Sequence, residues 1–506
     1  MAESRDQKDV ERQKFGRQQL KATAFDDNAR HWGAGRVTQP PHGVDGHRPT
    51  PEIVKSGHQL PKSQIYLLTF ANSAVTIFRN SNIKIHFESL NLKEVIMKKV
   101  IIVGAGAQGN VISGILAKAP EVSKIMLVDL DVERAAEVAQ FINSDKIEVE
   151  KADASDKSQL VALFTKGGYD LVVNATLPTF NRQVIEAALE AGAHYIDMAS
   201  DEFLPEKDGK QYLVEQLEYA EEFKKQGLMA NILAGGDSGL VNVMAKEAVD
   251  ELDEVDYIGI RDYGVVTCDE PVAMWSFQTY MEDCADKAIY WEDGQYKWAE
   301  PFTGEEEYYF PAPLDVKGKV FYHSHEEPLT IPAFIGKPVK YVDFKMGDPD
   351  SATWEFLLKG LKLMDEETVD IKGNKVSVKD VFCNQLPKTL TPKKCIELIK
   401  AKKIQSQAVL AVDVKGTKAG KKLHYKMWTD SPNIEKACSM IPGTNDVSWI
   451  TSVPASVLAL MILRGQIKRT GVFPCEVLNA EERKIYFEGI KEWDVIIHKQ
   501  ITSDIA

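Results

Sequence analysis

The chain has 506 residues, more than one compact domain normally holds, so two or more domains are expected. Its net charge of -14 argues against binding the nucleic-acid backbone or an anionic membrane surface, because both are gripped mainly through Lys and Arg. An apolar fraction of 44% with 27% charged residues leaves enough material for a packed core and suits an ordinary globular chain.

Residues 1–96 are rich in Arg, Gln, Asn and His, include Pro40-Pro41, and show neither helical nor strand periodicity. Such a segment buries too little apolar surface to offset its ordering entropy, and a disordered extension is expected. The favoured reading is that residues 1–96 are an upstream region translated from a misplaced start, with a genuine disordered extension as the alternative. Lys93-Glu94-Val95-Ile96-Met97 can be encoded by AAGGAGGT, a few bases and ATG, which looks like a bacterial ribosome-binding site. The apolar stretch at 65–78 is too short to span a bilayer and contains Thr69, Asn72, Ser73 and Thr76, so no transmembrane helix is expected.

From Met97 the pattern changes. Val100-Ile101-Ile102-Val103 is the continuous apolar run of a strand buried on both faces. It leads into Gly104-Ala105-Gly106-Ala107-Gln108-Gly109, a full G-x-G-x-x-G, and then into a helix with Val111, Ile112, Ile115 and Leu116 on one side. Gly104 permits the tight turn, Gly106 a close backbone approach, and Gly109 close packing of helix on strand. The first amides of the helix, at Ala107 and Gln108, face an anion. The second strand, 124–128, ends in Asp129, which can accept hydrogen bonds from the adenosine ribose and repel a 2′-phosphate. NAD is therefore favoured over NADP, with Asp131 adding to the preference and Arg134 softening it. The alternative for Asp129 is a helix N-cap.

Strands and helices continue to alternate. A strand at 147–149 leads to Asp153, and one at 171–173 ends in Asn174-Ala175-Thr176-Leu177-Pro178. A strand at 194–196 ends in Asp197, a long polar helix covers 211–225, and a sixth strand covers 228–233. This alternation predicts an α/β Rossmann fold, a doubly wound parallel sheet, with ligands at the carboxyl ends of its strands. Asp153, Asn174, Ala175, Pro178, Asp197, Asp201 and Gly235-Gly236-Asp237-Ser238-Gly239 then border one crevice.

The glycine turn, Asn174-Ala175-Thr176-Leu177-Pro178, Ala193-His194-Tyr195-Ile196-Asp197, 234–242 and Gly471-Val472-Phe473-Pro474-Cys475-Glu476 together resemble the saccharopine dehydrogenase family. The resemblance covers nearly everything from Met97 to Lys499. It implies a Rossmann domain at 97–240, an inserted α+β substrate and dimerisation domain at 241–447, and a C-terminal segment at 448–506 whose helices return to the first domain. It also implies oxidation or reduction of a C–N bond of an amino acid with a nicotinamide cofactor, in lysine metabolism. Lysine 6-dehydrogenase and carboxynorspermidine dehydrogenase are the near alternatives, and an NAD-sensing binding protein without catalysis is one of another class. Ser238 and Cys475 depart from the family's pattern.

After residue 254 the alternation at 256–261, 340–345 and 408–414 reads as half-exposed strands, suggesting an antiparallel sheet with a helix at 352–364 on one face. The acidic, aromatic stretch 291–309 reads as a lid or subunit contact, and 453–463 as a buried helix. For proton transfer the candidates are Asp197 and Asp201. Asp237 and Ser238 fall at the substrate pocket, and Arg261, His325 and Arg464 are candidates for holding substrate carboxylates. Trp275 is either a pocket residue or, more simply, core. His323 and His325 share a strand face, but without further ligands no metal is expected. The six scattered cysteines form no CxxC and suit free thiols in a reducing, cytoplasmic setting. A homodimer, a small amino-acid substrate, and no nucleic-acid or membrane partner complete the expectation.

Overall fold

The structure is a computed structural model that describes residues 66–70, 73–77 and 97–503. Residues Met1–Asn91 and Leu92–Ala506 are separate units. In the first, Tyr66–Phe70 and Ser73–Ile77 pair antiparallel on the apolar stretch where the sequence pattern suggests no element. The rest of the expected extension lies outside the described residues.

In the second unit the apolar runs form a seven-stranded parallel sheet. Its order from edge to edge is Gly471–Phe473, Met229–Asn231, His194–Ile196, Leu171–Asn174, Lys98–Val103, Val122–Asp129 and Ile147–Lys151. The reversal of direction on either side of Lys98–Val103 puts a crevice at the carboxyl ends of the central strands. Six strands lie where the alternation puts them. The seventh comes from near the end of the chain, where Met229 pairs with Gly471 and Asn231 with Phe473. The long helix expected at 211–225 is instead a short 3₁₀ turn, Glu215–Tyr219, and a six-residue helix, Ala220–Lys225. Glu215 is buried there, tying down a loop, which a continuous polar helix would not allow.

The second sheet has nine strands and is mixed. Glu254–Cys268 at its centre runs antiparallel to Ile404–Lys418 but parallel to Val339–Gly347, which corrects the expected antiparallel sheet. Between the parallel pair the chain makes a long excursion, including helices Phe277–Ala285 and Glu327–Phe334, as a parallel connection demands. Residues 291–309 contribute the strands Gln295–Ala299 and Glu306–Phe310 instead of forming a lid. The expected helix at 352–364 is cut to Ser351–Glu355 followed by an irregular turn.

Helix Asp446–Leu463 is apolar on nearly every side because both sheets use it. Its Trp449, Val453 and Leu458 share one core with Ile102 and Ile112 of the parallel half and with Val412 and Ile260 of the mixed sheet. It is long and apolar enough to cross a membrane, but its side chains are spent on this core. The single unit from Leu92 onward follows from that shared helix.

Candidate active site

The glycine turn behaves as its spacing predicts. Gly104 has φ +102°, and a Cβ there would stand 2.5 Å from the Ala175 carbonyl oxygen. A Cβ on Gly109 would come within 2.0 Å of the Gly104 carbonyl oxygen, whereas one on Gly106 would meet nothing within 4 Å. Gly106 is thus the face left open. It is also the N-cap of helix Ala107–Lys118, with no side chain capping it, so the first-turn amides are free to receive an anion. The residues present fit a dinucleotide pyrophosphate. Gly104, Gly106, Ala107 and Gln108 line a cavity of about 580 Å³; Gly109 sits behind them as packing.

Asp129 also borders this cavity, but its carboxylate is partly engaged. Its Oδ2 accepts the Ala105 N–H at 2.7 Å and its Oδ1 the Asp131 N–H at 2.9 Å. Asp131, not Asp129, caps the next helix, accepting from Glu133 and Arg134. Arg134 Nε donates to the Ala105 carbonyl at 3.1 Å and lines the same end. Asp153 lies alongside, held below the usual carboxylate range by hydrogen bonds from Ser155. Asn174 shapes the next loop. It accepts from Thr176 and donates to Asn181 and Tyr195, presenting Ala175 and Pro178 to the cavity.

Asp197 reaches the crevice but is committed on both oxygens, to the Leu233 N–H at 2.8 Å and to Gln216 Nε2 at 3.1 Å. Burial pushes it up to about 7. Asp201 is exposed and lies outside the cavity, so the structure does not bring it to the site: its backbone N–H is drawn instead to buried Glu215, which also holds Asn181 and Ser200. In the turn after Met229–Asn231, Asp237 faces the cavity and Ser238 does not. The Ser238 hydroxyl is buried without a partner among the described residues. Cys475 packs beneath this turn, its thiol donating to the Leu233 carbonyl, so this departure from the family pattern is structural.

Two expected carboxylate binders are elsewhere. Arg261 is 1% exposed on the face of its strand away from the cavity, paired with Asp343 at 2.8 Å and Glu306 at 2.9 Å and bonded to the Tyr257 hydroxyl. Side chains alternate along a strand, so its neighbour Asp262 is the one that faces the crevice. Arg464 caps helix Asp446–Leu463 at the surface, with Glu121 as its partner. His325 does line the cavity. Its ring stacks on Phe344 with centroids 4.0 Å apart, and Nδ1 lies 2.7 Å from Glu327 Oε2. Burial opposes the charged imidazole, but Glu327, Glu326 and Asp237 together outweigh it and hold the pKa well above the usual value. His323 lies beside it and is pulled down to about 3 by burial, so the two rings are shifted in opposite directions.

What surrounds His325 is acidic. Asp237, Asp262, Asp283 and Glu326 all line this end of the cavity, and Arg134, at the far end, is the one Lys or Arg lining it among the described residues. Asp262 and Asp237 line the same wall and act directly on each other. Burial raises both, Asp262 to about 7 against the pull of the His325 charge. Asp283, on helix Phe277–Ala285, is likewise raised by burial. Trp275 is half-buried and forms part of the wall, a cavity residue as well as core. His325, Glu326 and Glu327 bring donor atoms within 4.8 Å of one another, but Glu327 is bonded to His325 and Glu326 accepts the Ser200 N–H at 2.7 Å. These bonds engage one oxygen of each carboxylate, and Glu327 Oε1 is buried without a partner among the described residues.

Residues 100–230 match the saccharopine dehydrogenase NADP binding domain, and residues 235–494 the saccharopine dehydrogenase C-terminal domain. Carboxyaminopropylagmatine dehydrogenase of Synechocystis sp. is 27% identical over 390 residues, spanning 76% of this chain and 94% of its own. Carboxynorspermidine synthase of Vibrio cholerae is 27% identical over 398 residues, spanning 76% of this chain and 92% of its own. Among solved structures, saccharopine dehydrogenase (L-Glu forming) of Saccharomyces cerevisiae superposes with a TM-score of 0.55 at 14% identity, over 80% of this chain and all of that one.

Proposed function

Because the chain belongs to the saccharopine dehydrogenase family, a nicotinamide-dependent group of oxidoreductases acting on C–N bonds, we propose that its own substrate is a carboxylated polyamine or guanidino amine. The observation that carries this reading is the acidic lining around His325. A saccharopine site has to hold several carboxylates and calls for Arg and Lys. Here Asp237, Asp262, Asp283 and Glu326 line the substrate end, buried carboxyls whose ionisation an incoming ammonium or guanidinium group favours, with no Lys or Arg beside them among the described residues. The names of the Synechocystis and Vibrio relatives point the same way.

A bound nicotinamide supplies or accepts the hydride. The chain's part is to seat the pyrophosphate on the turn at Gly106, brace that turn through Asp129, and orient the amine tail against Asp283 and Glu326. For the cofactor we infer a preference for NAD: the Asp129 carboxylate stands at the end of its strand, where it opposes a 2′-phosphate, and Arg134 offsets it only partly.

The test is a panel of amines in the oxidative direction, followed by absorbance of the reduced cofactor. Carboxyaminopropylagmatine and carboxynorspermidine are expected to give the highest kcat/KM. A higher value for saccharopine or lysine would overturn the reading.

A further inference from the structure

An imine and the amine made from it differ by a proton on nitrogen as well as by the hydride on carbon, and the protein has to manage that proton. Asp197 is poorly placed for it, with Leu233 and Gln216 on its two oxygens, and Asp201 stands outside the cavity. Asp237 and Asp262 are better placed. They come from different elements, the turn after Met229–Asn231 and the middle of strand Glu254–Cys268, and meet at the cavity wall. Two carboxyls that act directly on each other and are removed from bulk water do not both ionise readily, and a proton is held between them.

We propose that Asp237 and Asp262 form a proton-sharing pair that gives a proton to the substrate nitrogen in imine reduction and takes it back in amine oxidation. This rests on the C–N oxidoreductase reading above. In reduction the shared O–H bond breaks and an N–H bond forms, while the imine carbon gains the hydride given up by the dihydronicotinamide. The C=N double bond becomes single, the cofactor is oxidised by two electrons, and the pair is left one charge more negative. The groups facing the pair are His325, whose charge offsets that gain, and Glu327, which opposes it. Asp283 acts on His325 from helix Phe277–Ala285.

Asp262→Asn keeps the shape of the side chain and removes one of the two sites for the proton. The reduction rate of the native protein is expected to fall as pH rises through the neutral range, where the pair loses its proton. The variant is expected to lose about 100-fold in kcat, the scale of a missing general acid, and to shift that alkaline limb to lower pH. Asp262→Glu, which returns a carboxyl, is expected to restore the limb in part. A loss of kcat with the limb unmoved in Asp262→Asn would overturn the proposal, because simple loss of packing acts alike at every pH.

A second measurement needs neither substrate nor cofactor. Infrared titration is expected to show a carboxylic-acid C=O band that titrates near neutrality and moves to lower pH in both Asp237→Asn and Asp262→Asn, since each removes the partner that shares the proton. If the band keeps its midpoint in either variant, the proton is not shared and the proposal falls, whatever the enzyme turns over. If it moves in both while no amine or imine is turned over, the pair stands and the functional reading falls.

Discussion

Asp129 Oδ2 accepts the backbone N–H of Ala105 at 2.7 Å, tying the end of the second parallel strand to the glycine turn that follows the first. The carboxylate therefore shapes the anion site as well as bordering it. Asp129→Ala is expected to weaken NAD binding by about 1–3 kcal/mol, the range for a charged hydrogen-bond partner removed from a buried donor. Arg134→Ala is expected to weaken NADP binding more than NAD binding. Calorimetry with both dinucleotides checks the pair of variants, and an unchanged NADP/NAD ratio in Arg134→Ala would remove Arg134 from any part in the choice.

Gly106 and Gly109 separate binding from folding. A Cβ on Gly106 has no protein atom within 4 Å, so Gly106→Val should leave the melting temperature nearly unchanged while blocking the dinucleotide. A Cβ on Gly109 collides with the Gly104 carbonyl at 2.0 Å, so even Gly109→Ala should lower stability. Thermal melts with and without cofactor distinguish them; equal melts for the two variants would contradict the geometry.

Arg261 is a structural cation. Its partners Asp343 and Tyr257 sit on the side of the sheet away from the cavity. Arg261→Ala takes the close ion-pair partner from buried Asp343 and leaves it the more distant Lys345 at 3.8 Å, and on the order of 3 kcal/mol of stability should be lost. Chemical denaturation measures this. The substrate KM of whatever folds should stay close to native, and a KM raised tenfold in a fully stable variant would return Arg261 to the substrate.

Asp283→Asn tests the acidic end directly. A bound ammonium group favours the ionised Asp283 against the pull of burial, so removing that carboxyl should raise KM for a polyamine-type substrate about tenfold, the scale of one charge-assisted hydrogen bond. Binding of NAD should be unaffected, since Asp283 lies at the other end of the cavity from Arg134. A KM that falls would mean that the pocket holds an anion.

Asp446 supplies a prediction with pH. It is buried under the mixed sheet, bonded to Ser406, and pushed up to about 7 by burial. A carboxyl whose folded pKa lies above its unfolded value keeps its proton more tightly in the native state, so it costs stability as pH rises from about 4 to 7. Asp446→Asn should consequently gain on the native protein as pH rises, by on the order of 2–4 kcal/mol at pH 8 relative to pH 4. Denaturation curves at the two pH values check the sign; a gain that shrinks toward pH 8 would mean that Asp446 is ionised in the folded state.

The parallel half was legible because its information is local. Strands buried on both faces read as unbroken apolar runs, and the turn needs its three glycines within six residues. Gly471–Phe473 was not legible as a strand: three residues have no period, and their partner lies some 240 positions earlier. Arg261 and Asp262 show a different limit. Strand Glu254–Cys268 carries polar residues on both faces, because Tyr263 and Arg261 meet Phe310, Val320 and Glu306 on one and Asp262 meets the cavity on the other, so alternation could not say which phase faced the ligand. Asp283 and Glu326 look in sequence like ordinary solvated acids, and only the packing of helices Phe277–Ala285 and Glu327–Phe334 reveals that they share a wall. His325 was legible, but its meaning was inverted. Singled out as an anchor for carboxylates, it sits among carboxylates of the protein.

The strand Gly471–Phe473 also carries a consequence for biosynthesis. The cofactor-binding half is made early by the ribosome, yet its outermost strand emerges last. Until then Met229–Asn231 remains a naked margin of the sheet, with hydrogen-bonding groups open to any passing peptide. A nascent chain stopped before residue 471 should therefore stick to its neighbours, and release of nearly the whole polypeptide becomes a condition for sealing the half that was synthesised first.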